Sequence, residues 1–145
     1  MPNYKNPRKM TFPEAEIQTA IVQYLQLNKV YAIHIPNERK TTTQAMGRLV
    51  AMGLRSGAAD LLLFYPNDWN QRREVYKLMA EGTSFSNTPL VTMGYIEVKA
   101  PGGKQSEAQK RFEARCKAVG ISYDLAFSVD DVRKIIEGRY NVKLN

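Results

Sequence analysis

The sequence predicts a single α/β domain in which helices flank a central mixed β-sheet. The chain has 145 residues, 43% of them hydrophobic, which is enough to build the core of one domain and too little for two ordinary ones. Two short apolar runs, at residues 60–65 and 94–99, have the length and composition of buried strands. Segments with apolar residues at helical spacing alternate with such strands along the chain.

The first element is an amphipathic helix at residues 13–27. Ile17, Ile21 and either Tyr24 or Leu25 recur at helical spacing. A proline and acidic residues occupy the first turn, as helix starts favour. This helix therefore has one face suited to pack on a sheet.

The remaining elements follow from alternation, capping residues and glycine stops. Strands are β-rich or alternating, Ser106 and Ser128 have the spacing of helix N-caps, and Gly53 and Gly120 end helices. In chain order we predict a strand at 30–35, a helix at 43–52, a strand at 60–65, a helix at 68–80, a strand at 94–99, a helix at 106–119, a strand at 121–127 and a helix from 128 to about 140.

Residues 66–92 fit this alternation less well than the rest. Residues 68–80 carry a helical apolar stripe, but residues 81–89 are rich in Gly, Ser, Thr and Asn and have no period. We interpret the segment as an insertion between two paired strands. Its basic residues are open to a partner, and they are Arg72, Arg73 and Lys77.

The charge balance predicts a polyanionic partner. Lys and Arg number 21 against 14 Asp and Glu, which gives a net charge of +7. Residues 1–12 are polar and basic, and we predict a flexible arm that contacts phosphates or stays in solvent. Cys116 is the one cysteine, which excludes an internal disulfide and favours a reducing, cytoplasmic setting. No apolar stretch predicts a membrane segment or a signal peptide.

The strongest candidate site combines Asp60, Glu97 and Lys99. Glu97 and Lys99 are two residues apart on a strand, so both project from one face while their apolar neighbours point into the core. Asp60 heads the preceding strand after a Ser-Gly-Ala-Ala approach at residues 56–59, which lets a backbone or a substrate come close. An isolated Glu-x-Lys pair is often a simple ion pair. Two acids and a lysine on neighbouring strands, however, suit a hard divalent cation and a phosphate.

Phosphodiester hydrolysis explains why these residue types occur together. Mg²⁺ or Mn²⁺ can activate the water, polarise the phosphorus and stabilise the leaving oxyanion, and such ions prefer oxygen ligands. We predict Asp60 and Glu97 as the carboxylate ligands. Lys99 can orient the water, stabilise the phosphate charge or act as a base, and the sequence leaves these roles open. A zinc cluster is excluded because His34 is the one histidine and there is one cysteine.

The first helix supplies two further candidates. Glu14 lies three residues before Ile17 and seven before Ile21, so it shares the face that packs on the sheet. We predict that Glu14, rather than Glu16, reaches the ion directly or through water. The alternative for Glu14 is a helix-start carboxylate that interacts with the macrodipole. Gln18 faces the same way and either hydrogen-bonds in the site or fills its wall.

Basic residues on both sides of this site predict contacts with nucleic acid. Such contacts go mainly to phosphates and do not read sequence, so we expect selectivity for structure or only weak selectivity. Asn37 is a weaker substrate candidate because turn chemistry explains it equally well. The predicted DNA-binding residues are Arg39, Lys40, Arg48, Arg55, Lys104 and Lys110, with Arg111 beside them.

Four short motifs stand out over roughly residues 13–130. They are Glu14-x-x-Ile17-Gln18, Gly57-Ala58-Ala59-Asp60, Glu97-Val98-Lys99 and Ser106-x-x-Gln109. Together they resemble the VRR-NUC (virus-type replication-repair nuclease) family, of the freestanding phage or bacterial type, within the PD-(D/E)xK nuclease superfamily. Ala59 stands where the superfamily name implies a proline, and the insertion at 66–92 is long.

The resemblance implies a restriction-endonuclease-like core and a metal-dependent DNA endonuclease. It also implies that the backbone carbonyl of Val98 is a third metal ligand and that Gln109 belongs to the active site, although a Ser106 capping box explains Gln109 as well. Freestanding members look like homodimers that cut branched DNA such as four-way junctions, in a bacterial or phage-infected cell. The alternatives are a nuclease of flaps, nicks or ends, a silent DNA-binding module, and RNA as the substrate.

Overall fold

The computed structural model describes residues 13–36, 43–53, 55, 57–82 and 89–145. Within these residues the predicted fold class is confirmed, because a four-stranded mixed sheet is flanked by five α-helices. The elements are α1 (Pro13–Leu27), β1 (Tyr31–His34), α2 (Thr43–Ala51), β2 (Leu61–Pro66), a 3₁₀ turn (Trp69–Gln71), α3 (Arg72–Glu81), β3 (Val91–Val98), α4 (Glu107–Ala118), β4 (Ser122–Ala126) and α5 (Val129–Tyr140).

The sheet has the strand order β1-β2-β3-β4, with β2 and β3 in the middle. The β1–β2 and β2–β3 pairs are antiparallel, and β3 and β4 are parallel. Leu61 pairs with both His34 and Ile96. One further step of this antiparallel register brings Asp60, just before β2, beside Glu97 on β3.

The main core lies between the sheet and helices α1 and α5. Alternate residues of the strands supply it, as the period of two requires. Each buried aliphatic side chain stabilises the fold by about 1.5–3 kcal/mol, so this layer dominates the stability. Its fully buried members include Ile21, Leu25, Leu61, Leu63, Ile96, Val98, Val132 and Ile136.

A smaller apolar cluster holds α4 on the opposite face of the sheet. Phe112 of α4 places its ring 5.1 Å from that of Tyr95 and 6.1 Å from that of Tyr123. Cys116 is buried in the same cluster, beside Ala59, and packs there as a small hydrophobe. Because Ala59 directly precedes Asp60, this cluster ties α4 to the approach of the candidate site.

Two boundaries differ from the sequence prediction. β3 begins at Val91 rather than at residue 94 because it extends along β2 as far as Pro66. α3 begins at Arg72, after the 3₁₀ turn, and buries Val75 where it packs on β1 and β2. The proposed insertion at 66–92 thus contains a helix that packs on the sheet and the first residues of a strand, as far as the structure describes it.

Several predicted features lie outside the described residues. These are the arm at 1–12, residues 83–88 of the proposed insertion, and the side chains of Asn37, Arg39 and Lys40. Among the helices that the structure describes, none combines the length and the apolar character needed to cross a lipid bilayer.

Candidate active site

Asp60, Glu97 and Lys99 come together where β2 and β3 meet. The Asp60 Oδ2 accepts a hydrogen bond of 2.8 Å from the backbone N–H of Val98. The Glu97 Oε1 lies 3.5 Å from the Lys99 Nζ. The Asp60 carboxyl is near enough to raise the pKa of Glu97. The antiparallel register therefore gathers the three predicted residues into one cluster.

Gln109 joins this cluster from the first turn of α4. Its Oε1 accepts a hydrogen bond of 2.9 Å from the Lys99 Nζ, and its Nε2 donates one of 2.8 Å to the Glu97 Oε1. The same Oε1 accepts the backbone N–H of Ser106 at 2.8 Å, and the Ser106 Oγ accepts the N–H of Gln109 at 3.1 Å. Gln109 therefore takes part in the capping box and in the candidate site at the same time.

Three members of the cluster are buried, whereas Asp60 is half-buried. Glu97 is 1% exposed, Gln109 4% and Lys99 8%. Burial and the nearby Asp60 together raise the pKa of Glu97 to about 8, although Lys99 opposes the shift. The protonated and the charged form of Glu97 are thus both accessible near neutral pH.

The donor set fits a hard divalent cation. The Glu97 Oε2 is buried and has no hydrogen-bond donor among the described residues. A buried carboxylate oxygen that has no donor and lies near a second carboxyl is stabilised by a proton or by a cation. Among the described residues no group of three His, Cys, Asp or Glu side chains is close enough to hold a metal. Asp60 and Glu97 would therefore need backbone oxygens or water to complete the coordination.

Helix α1 borders the site through Gln18 and His34. The Gln18 Nε2 lies 2.5 Å from the His34 Nδ1, and His34, on the edge strand β1, pairs with the residue after Asp60. Glu14 is half-buried one turn before Gln18. The described side chains do not form a three-carboxylate group that includes Glu14, so its approach to an ion through water stays a prediction.

The loop before Asp60 touches α4 directly. Gly57 has φ of +79°, and a Cβ there would lie 2.3 Å from the carbonyl carbon and oxygen of Ala108 and 2.7 Å from the Gln109 nitrogen. Only glycine fits both the backbone angle and the space. The close approach predicted from the small residues is present, and it positions Asp60 relative to the helix that carries Gln109.

The predicted basic residues differ in their surroundings. Arg48 and Lys104 are exposed, and Lys110 pairs with Glu107 at 3.2 Å. Arg55 donates to the Val50 carbonyl at 3.1 Å and lines a groove beside α4. Arg48, Lys104 and Lys110 have no described contact with Asp60, Glu97 or Lys99, and the contact of all four basic residues with DNA stays a prediction.

Sequence reasoning missed Arg115, which lines the groove with Arg55 and Arg111. The signal was present, because residues 108, 111, 112 and 115 have the spacing of one helix face. It missed Gln105 as well, whose Nε2 bonds Glu113 at 3.2 Å and the Tyr123 hydroxyl at 3.3 Å. Gln105 shows no local pattern, so nothing short of the tertiary structure indicates its partners.

Comparison with known proteins gives one match. The model of the VRR-NUC domain family matches residues 12–130, which is most of the chain. No curated protein and no solved structure matches the chain. The matched region contains Asp60, Glu97, Lys99 and Gln109.

Proposed function

The chain belongs to the VRR-NUC domain family, a family of PD-(D/E)xK-type nucleases with a restriction-endonuclease-like fold, and we propose that it is a metal-dependent, structure-selective endonuclease of branched DNA. One observation carries the proposal. A buried Glu97, whose Oε2 lacks a donor in the described structure, lies beside Asp60 and Lys99. Such a group of two acids and a lysine suits phosphodiester hydrolysis.

Asp60 and Glu97 would hold Mg²⁺ or Mn²⁺, with the Val98 carbonyl as a third oxygen. When bound, such an ion supplies Lewis-acid polarisation of the phosphate and lowers the pKa of a bound water. The Val98 N–H already binds Asp60 at 2.8 Å, so the backbone of β3 fixes that carboxylate. Glu14 would contribute through water.

Lys99 acts on the water or on the phosphate. An ammonium has three donors, and the described contacts direct it to Gln109 at 2.9 Å and to Glu97 at 3.5 Å. The donor that remains can bind the attacking water or a phosphate oxygen, where the positive charge stabilises the transition state. Gln109 holds Lys99 and Glu97 in one geometry, and it is a positioning residue.

DNA is the substrate that a nuclease domain of this family implies. The finer proposal is a branched substrate such as a four-way junction, cut by a homodimer in the cytoplasm of a bacterial or phage-infected cell. Two sites related by a twofold axis can cut two symmetric strands. The exposed cations Arg48 and Lys104 and the net charge of +7 support binding to the backbone.

The test is cleavage of labelled four-way junction, flap and linear duplex DNA with Mg²⁺, Mn²⁺ or EDTA. Wild type is compared with Lys99→Ala, and the control is Lys143→Ala, which removes an exposed lysine of the C-terminal segment. Metal-dependent junction cleavage that Lys99→Ala abolishes would support the proposal. Cleavage of flaps or ends alone would remove the junction assignment, and binding without cleavage would leave a DNA-binding module. A substrate whose cleaved strand carries ribose in place of deoxyribose tests whether the protein cuts RNA.

A further inference from the structure

A groove lined by three arginines runs along α4 next to the candidate active site. We call it the arginine groove, and it is lined by Arg55, Ala108, Arg111, Phe112 and Arg115. Its volume is about 340 Å³, and it is open to solvent. The Phe112 ring packs on Tyr95 and Tyr123, so the wall that carries the arginines is held against the sheet.

The charges of Arg111 and Arg115 are not neutralised within the described structure. The acids of α4 pair with lysines, since Glu107 contacts Lys110 at 3.2 Å and Glu113 contacts Lys117 at 3.0 Å. Arg111 and Arg115 are exposed and form no ion pair with the described residues. Guanidinium groups without carboxylates favour an anionic ligand.

The groove begins beside the candidate active site. Ala108 lines it and also touches the Gly57 backbone, and the next residue, Gln109, bonds Glu97 and Lys99. At about 1.5 Å of rise per helical residue, Arg111 lies about 3 Å and Arg115 about 9 Å beyond Gln109 along the axis. These distances along the helix correspond to about one to three nucleotides of a DNA strand, at about 3.4 Å per nucleotide.

The chemistry of the groove fits a phosphate backbone rather than bases. Guanidinium groups bind phosphate oxygens in a bidentate manner. Stacking of bases needs an open aromatic face, and Phe112 already uses its ring in contacts with Tyr95 and Tyr123. We infer that the arginine groove is a subsite for DNA phosphates about one to three nucleotides from the cleaved bond, an inference that rests on the proposed nuclease function.

The first test is binding of a fluorescent four-way junction in EDTA over a salt series. Arg111→Ala/Arg115→Ala should weaken binding about tenfold or more and reduce the slope of log K against log salt by roughly 1 per arginine. The double variant Arg111→Lys/Arg115→Lys keeps both charges, so it should keep most of the salt slope while it binds the junction less tightly than wild type. The control is Lys143→Ala, and circular dichroism verifies that every variant is folded. An Ala double variant with the slope and affinity of the control would overturn the subsite.

The second test locates the phosphate. Single neutral methylphosphonates replace the phosphates one, two or three nucleotides from the cleaved bond, and binding is measured for wild type and for each arginine variant. A neutral linkage and Arg111→Ala should be non-additive at one of these positions, because both remove the same contact. Additive effects at every position would overturn the assignment.

Failure of the subsite can be distinguished from failure of the nuclease proposal. If wild type cuts DNA in Mg²⁺ and the Ala double variant binds and cuts like the control, the subsite is wrong and the nuclease stands. If wild type binds without cutting, the nuclease proposal fails and the salt slopes still decide whether the groove contacts the backbone. If wild type binds no DNA, both fail.

Discussion

The amide of Gln109 holds Lys99 and the start of helix α4 at once. Its Oε1 accepts the Lys99 Nζ at 2.9 Å and the Ser106 N–H at 2.8 Å, while its Nε2 donates to Glu97 at 2.8 Å. An N-terminal helix cap is thus part of the candidate active site. Local helix stability and the geometry of the catalytic cluster depend on the same side chain.

Gln109→Glu and Ser106→Ala should separate these two roles. Glu at 109 can still accept the Ser106 N–H but loses the amide donor to Glu97 and adds a like charge, so we expect a loss of about 100-fold or more in kcat/KM. Ser106→Ala removes the Oγ cap, and it should cost about 1 kcal/mol of stability with less than about a tenfold loss of activity. Cleavage kinetics and urea unfolding measure both. Equal losses of activity in the two variants would contradict the separation.

Gly57→Ala should displace α4 from the site. Its Cβ would lie 2.3 Å from the Ala108 backbone, and overpacking of this kind costs about 1–3 kcal/mol. Gly120→Ala is the matched control, because Gly120 has φ of +78° against +79° for Gly57 but has nothing within 4 Å of its Cβ position. Both variants have the strain of a positive φ, about 1–2 kcal/mol, and Gly57→Ala alone should also lose activity. Equal unfolding free energies would show that α4 yields to the added methyl.

The pH dependence of stability in EDTA should report Glu97. Its folded pKa of about 8 exceeds the ordinary value of about 4.3. Between these values the folded state binds more protons than the unfolded state, so this group makes stability fall as pH rises towards 8. Thermal unfolding of wild type should shift upward from pH 8 to pH 6, and Glu97→Gln should flatten that shift. A wild-type profile as flat as that of the variant would mean that Glu97 is ionised throughout.

Divalent cations should stabilise the folded protein if the two carboxylates hold an ion. At a free-ion concentration of about 100 times Kd, binding adds about 2.7 kcal/mol to the free energy of unfolding. Thermal unfolding with Mn²⁺ or Mg²⁺ measures this gain without an activity assay. Asp60→Asn and Glu97→Gln should each lose this shift. Asp124→Asn is the control, because Asp124 is a partly buried acid on β4 with no described contact to the site. A metal-induced shift that persists in both site variants would place the ion elsewhere.

Local patterns predicted most of the architecture. The period of Ile17 and Ile21 indicated α1, and Ser106 and Ser128 do cap α4 and α5. The start of β3 was predicted three residues late because Val91 to Met93 lie next to a segment without a period. Their strand conformation comes from pairing with β2, which is a long-range interaction that local sequence does not specify.

The sequence by itself determined that Glu97 and Lys99 share a face, because side chains of a strand alternate with a period of two. It also indicated that Asp60 stands at the head of a second apolar run with the composition of a strand. Only the tertiary structure decided the partners of these residues. Gln109 serves the cap and the site together, and Gly57 touches α4, because the small apolar cluster docks the helix on that face of the sheet. Arg55 lines one groove with Arg111 and Arg115 for the same reason, since contacts between distant segments depend on packing.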